Sequence, residues 1–113
     1  MGSAAARLRD AMMAHPELVA GETRACTELM RAAPGVALKT GAEAVFIAII
    51  PSLKLGISVK IEDGGTRASE AVIAALLIRL GVLDAAHPAS LKRLGPIHNW
   101  DGLQTGRISV DLN

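Results

Sequence analysis

The chain has 113 residues, about the length of one domain, and a formal net charge of +1 from twelve basic and eleven acidic residues. This balanced charge gives no basic surface for a nucleic acid and no polybasic patch for a membrane, so neither partner is expected. Half of the residues are apolar, yet only one Phe and one Trp occur and Tyr is absent. Such a composition suits either an Ala- and Leu-rich helical core or a surface that packs on polypeptide outside these residues.

Cysteine content and hydropathy predict a cytoplasmic location. Cys26 is the single cysteine, so the chain can form neither an internal disulfide nor a multi-thiolate zinc site, as is typical of a reducing compartment. The longest wholly apolar run, residues 71–78, is far too short to span a bilayer. No internal repeat or linker divides residues 1–113, which are therefore expected to form a single domain.

Two amphipathic segments near the start of the chain predict short helices. The first, AAARLRDAMMAHP, places Leu8, Ala11 and Met12 on one side and ends at His15, because proline disfavours the helical conformation in the residue before it. The second, ETRACTELMRAAPG, ends at a Pro-Gly pair. Its apolar stripe consists of Ala25, Cys26, Leu29, Met30 and Ala33. Cys26 is therefore predicted to be a small buried hydrophobe.

The hydrophobic period then changes from helical to strand-like. Residues 36–39 alternate in direction, and after a short polar break AVFIAII, residues 44–50, is expected to be a strand buried on both faces that ends at Pro51. In a further strand, Ile57, Val59 and Ile61 alternate with polar residues. These two runs predict a β-hairpin with a loop of about five residues.

One long helix dominates the second half of the chain. Residues 67–80 form this predicted helix, which is apolar on most sides and closed by Gly81. The remainder is rich in turns, with one helical turn expected near Ser90, one strand near residues 107–111, and Trp100 anchoring the tail on the core. Together the elements predict an α+β fold with short helices, an antiparallel hairpin or sheet, and a long helix in the C-terminal half.

Lys39, Thr40 and Gly41 form a motif with direct chemical meaning. A lysine that projects from a strand, a neighbouring hydroxyl and a small residue that allows close approach to the backbone can bind a carboxylate and stabilise an oxyanion. Serine hydrolases of the penicillin-recognising group use Lys-Thr-Gly in this position, at the edge of the cleft. Taken alone, the triplet also fits a solvated strand flank, and both interpretations stay open at this point.

Longer sequence strings on both sides of the Lys-Thr-Gly triplet point to a family resemblance. They are His-Pro-Glu-Leu-Val-Ala-Gly at 15–21, Thr-Glu-Leu-Met at 27–30, Lys-Thr-Gly-Ala-Glu at 39–43, Lys-Ile-Glu-Asp-Gly at 60–64, and Arg67. The string PIHNWDGLQTGRI at 96–108 extends the match toward the end of the chain. On these residues, which occur in one order over most of its length, the chain resembles the bacterial L-asparaginase II family of the thermolabile rhizobial type.

The resemblance implies a fold like the C-terminal part of a serine β-lactamase or glutaminase, and hydrolysis of L-asparagine to L-aspartate and ammonia. It further implies that Lys39 is the catalytic cation of the cleft. Thr40 and Gly41 would contact the substrate carboxylate, and the backbone N–H of Ala42 would help to form the oxyanion hole.

The resemblance also implies supporting roles for Glu43 and Arg67, and the chain departs from the family pattern at Ala44. Glu43 belongs to the same matching string, and Arg67 would orient the lysine strand. The alternative interpretation of Arg67 is an ion pair with Glu62 or Asp63 across the turn. These two acids could instead cap the N-terminus of the long helix. Ala44 stands where the family pattern GAEGV has glycine, which is expected to leave the strand geometry intact and to hinder close approach of the substrate.

The sequence lacks a motif that acyl transfer in this group requires, a serine followed three residues later by a lysine that takes the hydroxyl proton. None of the serines of this chain has lysine at that position. Because members of the family are much longer, residues 1–113 are expected to be the C-terminal portion of a larger enzyme and to be inactive alone. The zinc ligands of the family would lie upstream, so neither a metal ligand nor a cofactor is predicted within this chain.

The expected partners are a small-molecule amide substrate, once an N-terminal portion completes the site, and other copies of the chain through self-association. Two alternatives remain from the sequence. The chain is a non-catalytic packing or interaction domain, or it belongs to a relative that hydrolyses another amide such as glutamine or a β-lactam.

Overall fold

The computed structural model describes residues 3–112. Within this range the fold is α+β, as the sequence predicts. The helices are α1 (Ala4–Ala14), α2 (Glu17–Ala20), α3 (Ala25–Ala32), α4 (Thr66–Arg79) and α5 (Pro88–Arg93). The strands are β1 (Ala37–Gly41), β2 (Val45–Ile50), β3 (Leu55–Lys60), β4 (Gly95–His98) and β5 (Gln104–Ile108), and a short 3₁₀ turn covers Pro51–Leu53.

Strands β1, β2 and β3 form an antiparallel sheet in that order, so β1 and β3 are its edges. The predicted hairpin is confirmed as β2–β3, with a loop over residues 51–54, and β1 pairs with the other side of β2. The register places Lys39 opposite Ile47, and Ile47 opposite Ser58. These three side chains therefore share one face of the sheet, which we call the outer face.

The prediction that β2 is buried on both faces is wrong. Phe46, Ala48 and Ile50 are buried, whereas Ile47 and Ile49 are each 40% exposed. Alternate side chains of a strand point to opposite faces, and helices α3 and α4 pack on only one of them. Within residues 3–112, the outer face over the two isoleucines remains accessible.

The core lies between the inner face of the sheet and helices α3 and α4. The predicted stripe of α3 is buried, Cys26 included. Helix α4 covers nearly the predicted range and ends in the arrangement expected from Gly81, which has a φ of 78°. The Gly81 N–H donates to the Ile78 carbonyl at 3.0 Å and the Val82 N–H to the Leu77 carbonyl at 3.1 Å, a Schellman motif in which glycine takes the left-handed position.

Helix α1 ends before Pro16 as predicted, but the face proposed for its burial is wrong. Leu8 is 69% exposed, and Ala6 is the buried residue of this helix. The Ser3 hydroxyl caps the helix by accepting a hydrogen bond from the Ala6 N–H at 3.1 Å. Helix α2 was not predicted, because four residues are too few to show a helical period.

The tail departs from the prediction in two ways. Helix α5 confirms the helical turn near Ser90, but β4 and β5 then form a two-stranded antiparallel sheet instead of one strand near 107–111. Glycine and proline, which begin β4, are depleted in strands and mask it in the sequence. Trp100 lies at the tip of this hairpin and is completely exposed, so the prediction that it anchors the tail is wrong.

The molecule is elongated, with extents of 52 × 29 × 27 Å and a radius of gyration of 14.4 Å. A compact domain of this length would have a radius of gyration of about 13 Å. Strands β4 and β5 contact chiefly each other, so this hairpin adds length without adding to the core. No helix within residues 3–112 has both the length and the apolar character needed to cross a membrane.

Candidate functional site

The end of β1 and the turn after it form an open groove with a volume of about 380 Å³. The turn, residues 42–44, reverses the chain between Gly41 and Val45. The groove is lined by Arg24, Lys39, Thr40, Gly41, Ala42, Glu43, Ala44, Gly64 and Thr66. The structure therefore brings together the site residues predicted from Lys39 through Glu43.

Lys39 and Thr40 project from opposite faces of the edge strand β1. Lys39 is exposed on the outer face, and its ammonium donates a hydrogen bond to the Thr40 carbonyl. The half-buried Thr40 hydroxyl donates to the Val45 carbonyl at 3.3 Å. The groove thus wraps around the strand edge, with the lysine charge on one side and the hydroxyl on the other.

Cys26 lies directly behind Thr40, whose backbone N–H donates to the thiol sulfur at 3.3 Å. Burial raises the pKa of the Cys26 thiol, although the Thr40 N–H and the charges of Lys39 and Arg24 partly offset this effect. The thiol is therefore protonated at neutral pH, and a protonated thiol is a poor nucleophile and a poor metal ligand.

The zinc site that the resemblance implies for the family does not fit the residues present here. Cys26 is buried and is the chain's single cysteine. In the described range, residues 3–112, no group of three or more His, Cys, Asp or Glu side chains is arranged to hold a metal ion.

Glu43 and Gly64 lie side by side in the lining of the groove. Gly64 has a φ of 77°, a left-handed conformation that favours glycine, and a Cβ atom there would lie 3.1 Å from the flexible Glu43 carboxylate. The Lys60 ammonium donates hydrogen bonds to the carbonyls of Glu43 and, at 2.8 Å, Ile61. These contacts tie the turn after β1 to the end of β3.

Arg67 is not brought to this groove. It lies on the first turn of α4 and lines a different cavity, of about 560 Å³, together with Asp63 and residues of the C-terminal tail. Within residues 3–112, Arg67 forms no ion pair with Glu62 or Asp63. The Asp63 carboxylate instead accepts a hydrogen bond from the Gly65 N–H at 2.8 Å, just before α4 begins.

Arg24 and Thr66 line the groove but were not identified from the sequence. Arg24 is the N-cap residue of α3, and Thr66 is the first residue of α4. Each is therefore brought to the groove by the packing of its helix and not by its position along β1. One signal pointed toward Arg24: the predicted burial of Cys26 implied that the start of this helix lies against the sheet.

The sequence of the chain matches a known protein family. A family model described as L-asparaginase II matches residues 1–110. A search of curated proteins gave no match.

Proposed function

Since the chain belongs to the L-asparaginase II family, we propose that its asparaginase-type domain supplies the Lys-Thr-Gly edge of a cleft that hydrolyses L-asparagine. In this reaction water replaces the side-chain amide nitrogen, so that L-asparagine and water give L-aspartate and ammonia. The family match is the observation that supports the reaction, and the groove at the end of β1 is the candidate place for it.

In the proposed site, Lys39 stabilises the negative charge that develops on the amide oxygen during attack. Its ammonium is exposed, and its one hydrogen bond within residues 3–112 is to the neighbouring Thr40 carbonyl, which leaves donors free for a substrate. The Ala42 N–H adds a backbone donor at the same groove. Donors fixed before the reaction stabilise an oxyanion best where water is excluded, which this open groove does not achieve without further cover.

The nucleophile is proposed to come from polypeptide outside residues 1–113. Ser58 shares the outer face with Lys39 but lies two strands away, a distance of about 10 Å. Ser69 and Ser90 are buried, and their hydroxyls donate to backbone carbonyls at 2.9 and 2.7 Å. The Cys26 thiol is buried and protonated, so it does not replace the missing serine.

The proposal is tested by joining residues 1–113 to the amino-terminal portion of a family member that contains Ser-x-x-Lys. We expect the chain alone to release no ammonia from L-asparagine and the fused enzyme to do so. Lys39→Ala in the fused enzyme should lower kcat/KM by about 10²–10³-fold, because one oxyanion-stabilising donor contributes about 2.7–4 kcal/mol.

Lys54→Ala is the matched control for this experiment. Lys54 is exposed in the loop at the opposite end of β2 and should change neither kcat/KM nor the melting temperature. Equal and small effects of the two substitutions would show that Lys39 is only a solvated flank of a strand. Robust turnover by the purified chain alone would show that the nucleophile lies within it.

A further inference from the structure

The loop before α3 is held in a defined conformation. Gly21 and Thr23 both have positive φ angles, 89° and 68°, and this conformation is strained for a β-branched residue such as threonine. The buried Thr27 hydroxyl donates to the Gly21 carbonyl at 2.5 Å. Glu22 accepts two hydrogen bonds from the Arg31 guanidinium, at 2.7 and 2.8 Å. Arg24 directly follows Thr23, so its backbone is held in place by the same loop.

Arg24 extends into the groove that Lys39 lines. Within residues 3–112 its guanidinium forms no ion pair, whereas Arg31 and Arg93 are both paired with carboxylates. Arg24 lines cavities together with two acidic residues, Glu70 in a small pocket beside α3 and Glu43 in the groove itself. Glu70 lies 3.5 Å from the Arg93 side chain. The groove thus holds two cations with donors available for a ligand.

We propose that Arg24 binds the α-carboxylate of the substrate and selects amides that carry a free carboxylate. This inference rests on the proposed function, in which Lys39 stabilises the negative charge that develops on the amide oxygen. L-asparagine carries a permanent negative charge besides that transient one, and one ammonium does not satisfy both. Thr40 and Gly41, expected to contact the carboxylate, are neutral and leave its charge without a counter-charge. The planar guanidinium of arginine binds a carboxylate through two parallel hydrogen bonds, a geometry that lysine does not provide.

The test follows backbone and arginine side-chain N–H signals of the 113-residue chain by NMR during titration with L-asparagine, and separately with acetamide, an amide without a carboxylate. We expect saturable shifts at Arg24 and Ala42 with L-asparagine and none with acetamide. Arg24→Gln should weaken L-asparagine binding about tenfold or more, because hydrogen bonds to a charged group are lost. Arg24→Lys should restore only part of the affinity, and Arg9→Gln, on α1, should bind as the unchanged chain does.

Three outcomes would overturn the inference: L-asparagine binding that Arg24→Gln leaves intact, equal shifts with acetamide, or no saturable shift at the solubility limit of L-asparagine. If Arg24→Gln does not fold, Arg24→Lys gives the same comparison, and affinity equal to that of the unchanged chain would be the overturning result. These outcomes are separate from the proposed function, which depends on turnover of the fused enzyme. Loss of binding in Lys39→Ala alone would reject the role of Arg24 and leave the role of Lys39 standing.

Discussion

At the scale of single residues, the backbone conformation of Ala44 shows what its departure from the family pattern changes. It has a φ of 57° in the turn after β1, next to Glu43 with a φ of 62°. The apolar run 44–50 predicts a strand residue at this position, which is wrong because Ala44 lies before β2 begins. Glycine adopts this left-handed conformation without a steric cost, so the departure from the pattern affects the turn directly.

Ala44→Gly is therefore expected to leave the free energy of unfolding nearly unchanged. Relief of the left-handed conformation contributes about 1–2 kcal/mol, whereas loss of the buried methyl group costs about 0.8 kcal/mol and the chain entropy of glycine about 0.4–1 kcal/mol. The melting temperature, followed by circular dichroism, should therefore change little.

Ala42→Gly, in the same turn, is the control because Ala42 is exposed and does not have a positive φ. It should lower the melting temperature slightly, since glycine gains only chain entropy in the unfolded state. A decrease of equal size in both variants would contradict the interpretation of Ala44.

The candidate site could be predicted from the sequence only where its residues are contiguous. Lys39 through Glu43 occupy the end of one strand and the next turn, so their proximity follows from local geometry alone. Arg24 lies fifteen positions before Lys39 and reaches the groove because α3 packs against β1. Arg67 belongs to a matching string as well, but the direction of the first turn of α4 places it in another cavity, and helix packing is not encoded in spacing.

At the scale of elements, a buried arginine joins three helices. Arg93 of α5 is almost completely buried and contacts Glu28 of α3 and, at 3.5 Å, Glu70 of α4. Exposed Lys92 also reaches Glu28, at 3.1 Å. A charge removed from water in this way is tolerated only while its partners remain. The arginine therefore fixes how α5 sits on the other two helices.

Arg93→Ala should lower the free energy of unfolding by roughly 2–3 kcal/mol. A fully buried pair would lose roughly 3–5 kcal/mol, but Glu28 and Glu70 keep 28% and 24% of their side-chain surface exposed. Lys92→Ala removes a cation from the same carboxylate at an exposed position and should cost less than about 1 kcal/mol. Denaturant unfolding measures both, and equal losses would show that burial of the arginine is unimportant.

The same cluster predicts a pH dependence. Burial acts to raise the pKa of Glu28, but hydrogen bonds from Arg93 and Lys92 outweigh it and the pKa is lowered. The folded state therefore gains stability above the ordinary glutamate pKa, about 4.3, and loses it as pH falls through the lowered value. Glu28→Gln, which does not titrate, should flatten this acid limb of the unfolding curve.

Element boundaries were largely predictable, whereas burial and the last hairpin were not. A proline or a glycine follows each of α1, α3 and α4, so the ends of these helices could be predicted to within about one residue from local rules. The accessible face of β2 could not be predicted, because a run of apolar residues looks the same whether one face or both are covered. The pairing of β4 with β5 depends on a strand that begins with glycine and proline.

At the scale of the whole molecule, the accessible apolar side chains predict self-association. Exposed apolar side chains are Ile47 and Ile49 on the outer face, Leu53 and Leu55 at the end of the β2–β3 hairpin, and Leu103 near the tip of the β4–β5 hairpin. An edge strand next to an apolar face favours pairing with another chain. The isolated chain should therefore bind a hydrophobic dye and elute from a sizing column as more than a monomer.

Replacing both Ile47 and Ile49 by threonine should reduce dye binding and shift the chain toward the monomer, since threonine retains strand propensity. Leu18→Gln is the matched control, because Leu18 is exposed on α2, a helix whose main contacts are with α3. A monodisperse monomer that binds no dye would count against both the association and the view that further polypeptide covers this face.

The exposed hairpin tip also decides what an optical measurement of this chain reports. The sequence has one tryptophan, Trp100, and no tyrosine, so the indole supplies the intrinsic fluorescence. Because this indole is already in water in the folded chain, denaturant will change its emission wavelength little, and unfolding has to be followed through the backbone. A blue shift of the emission would instead signal that another polypeptide has covered the tip, which makes the fluorescence a direct sensor of assembly.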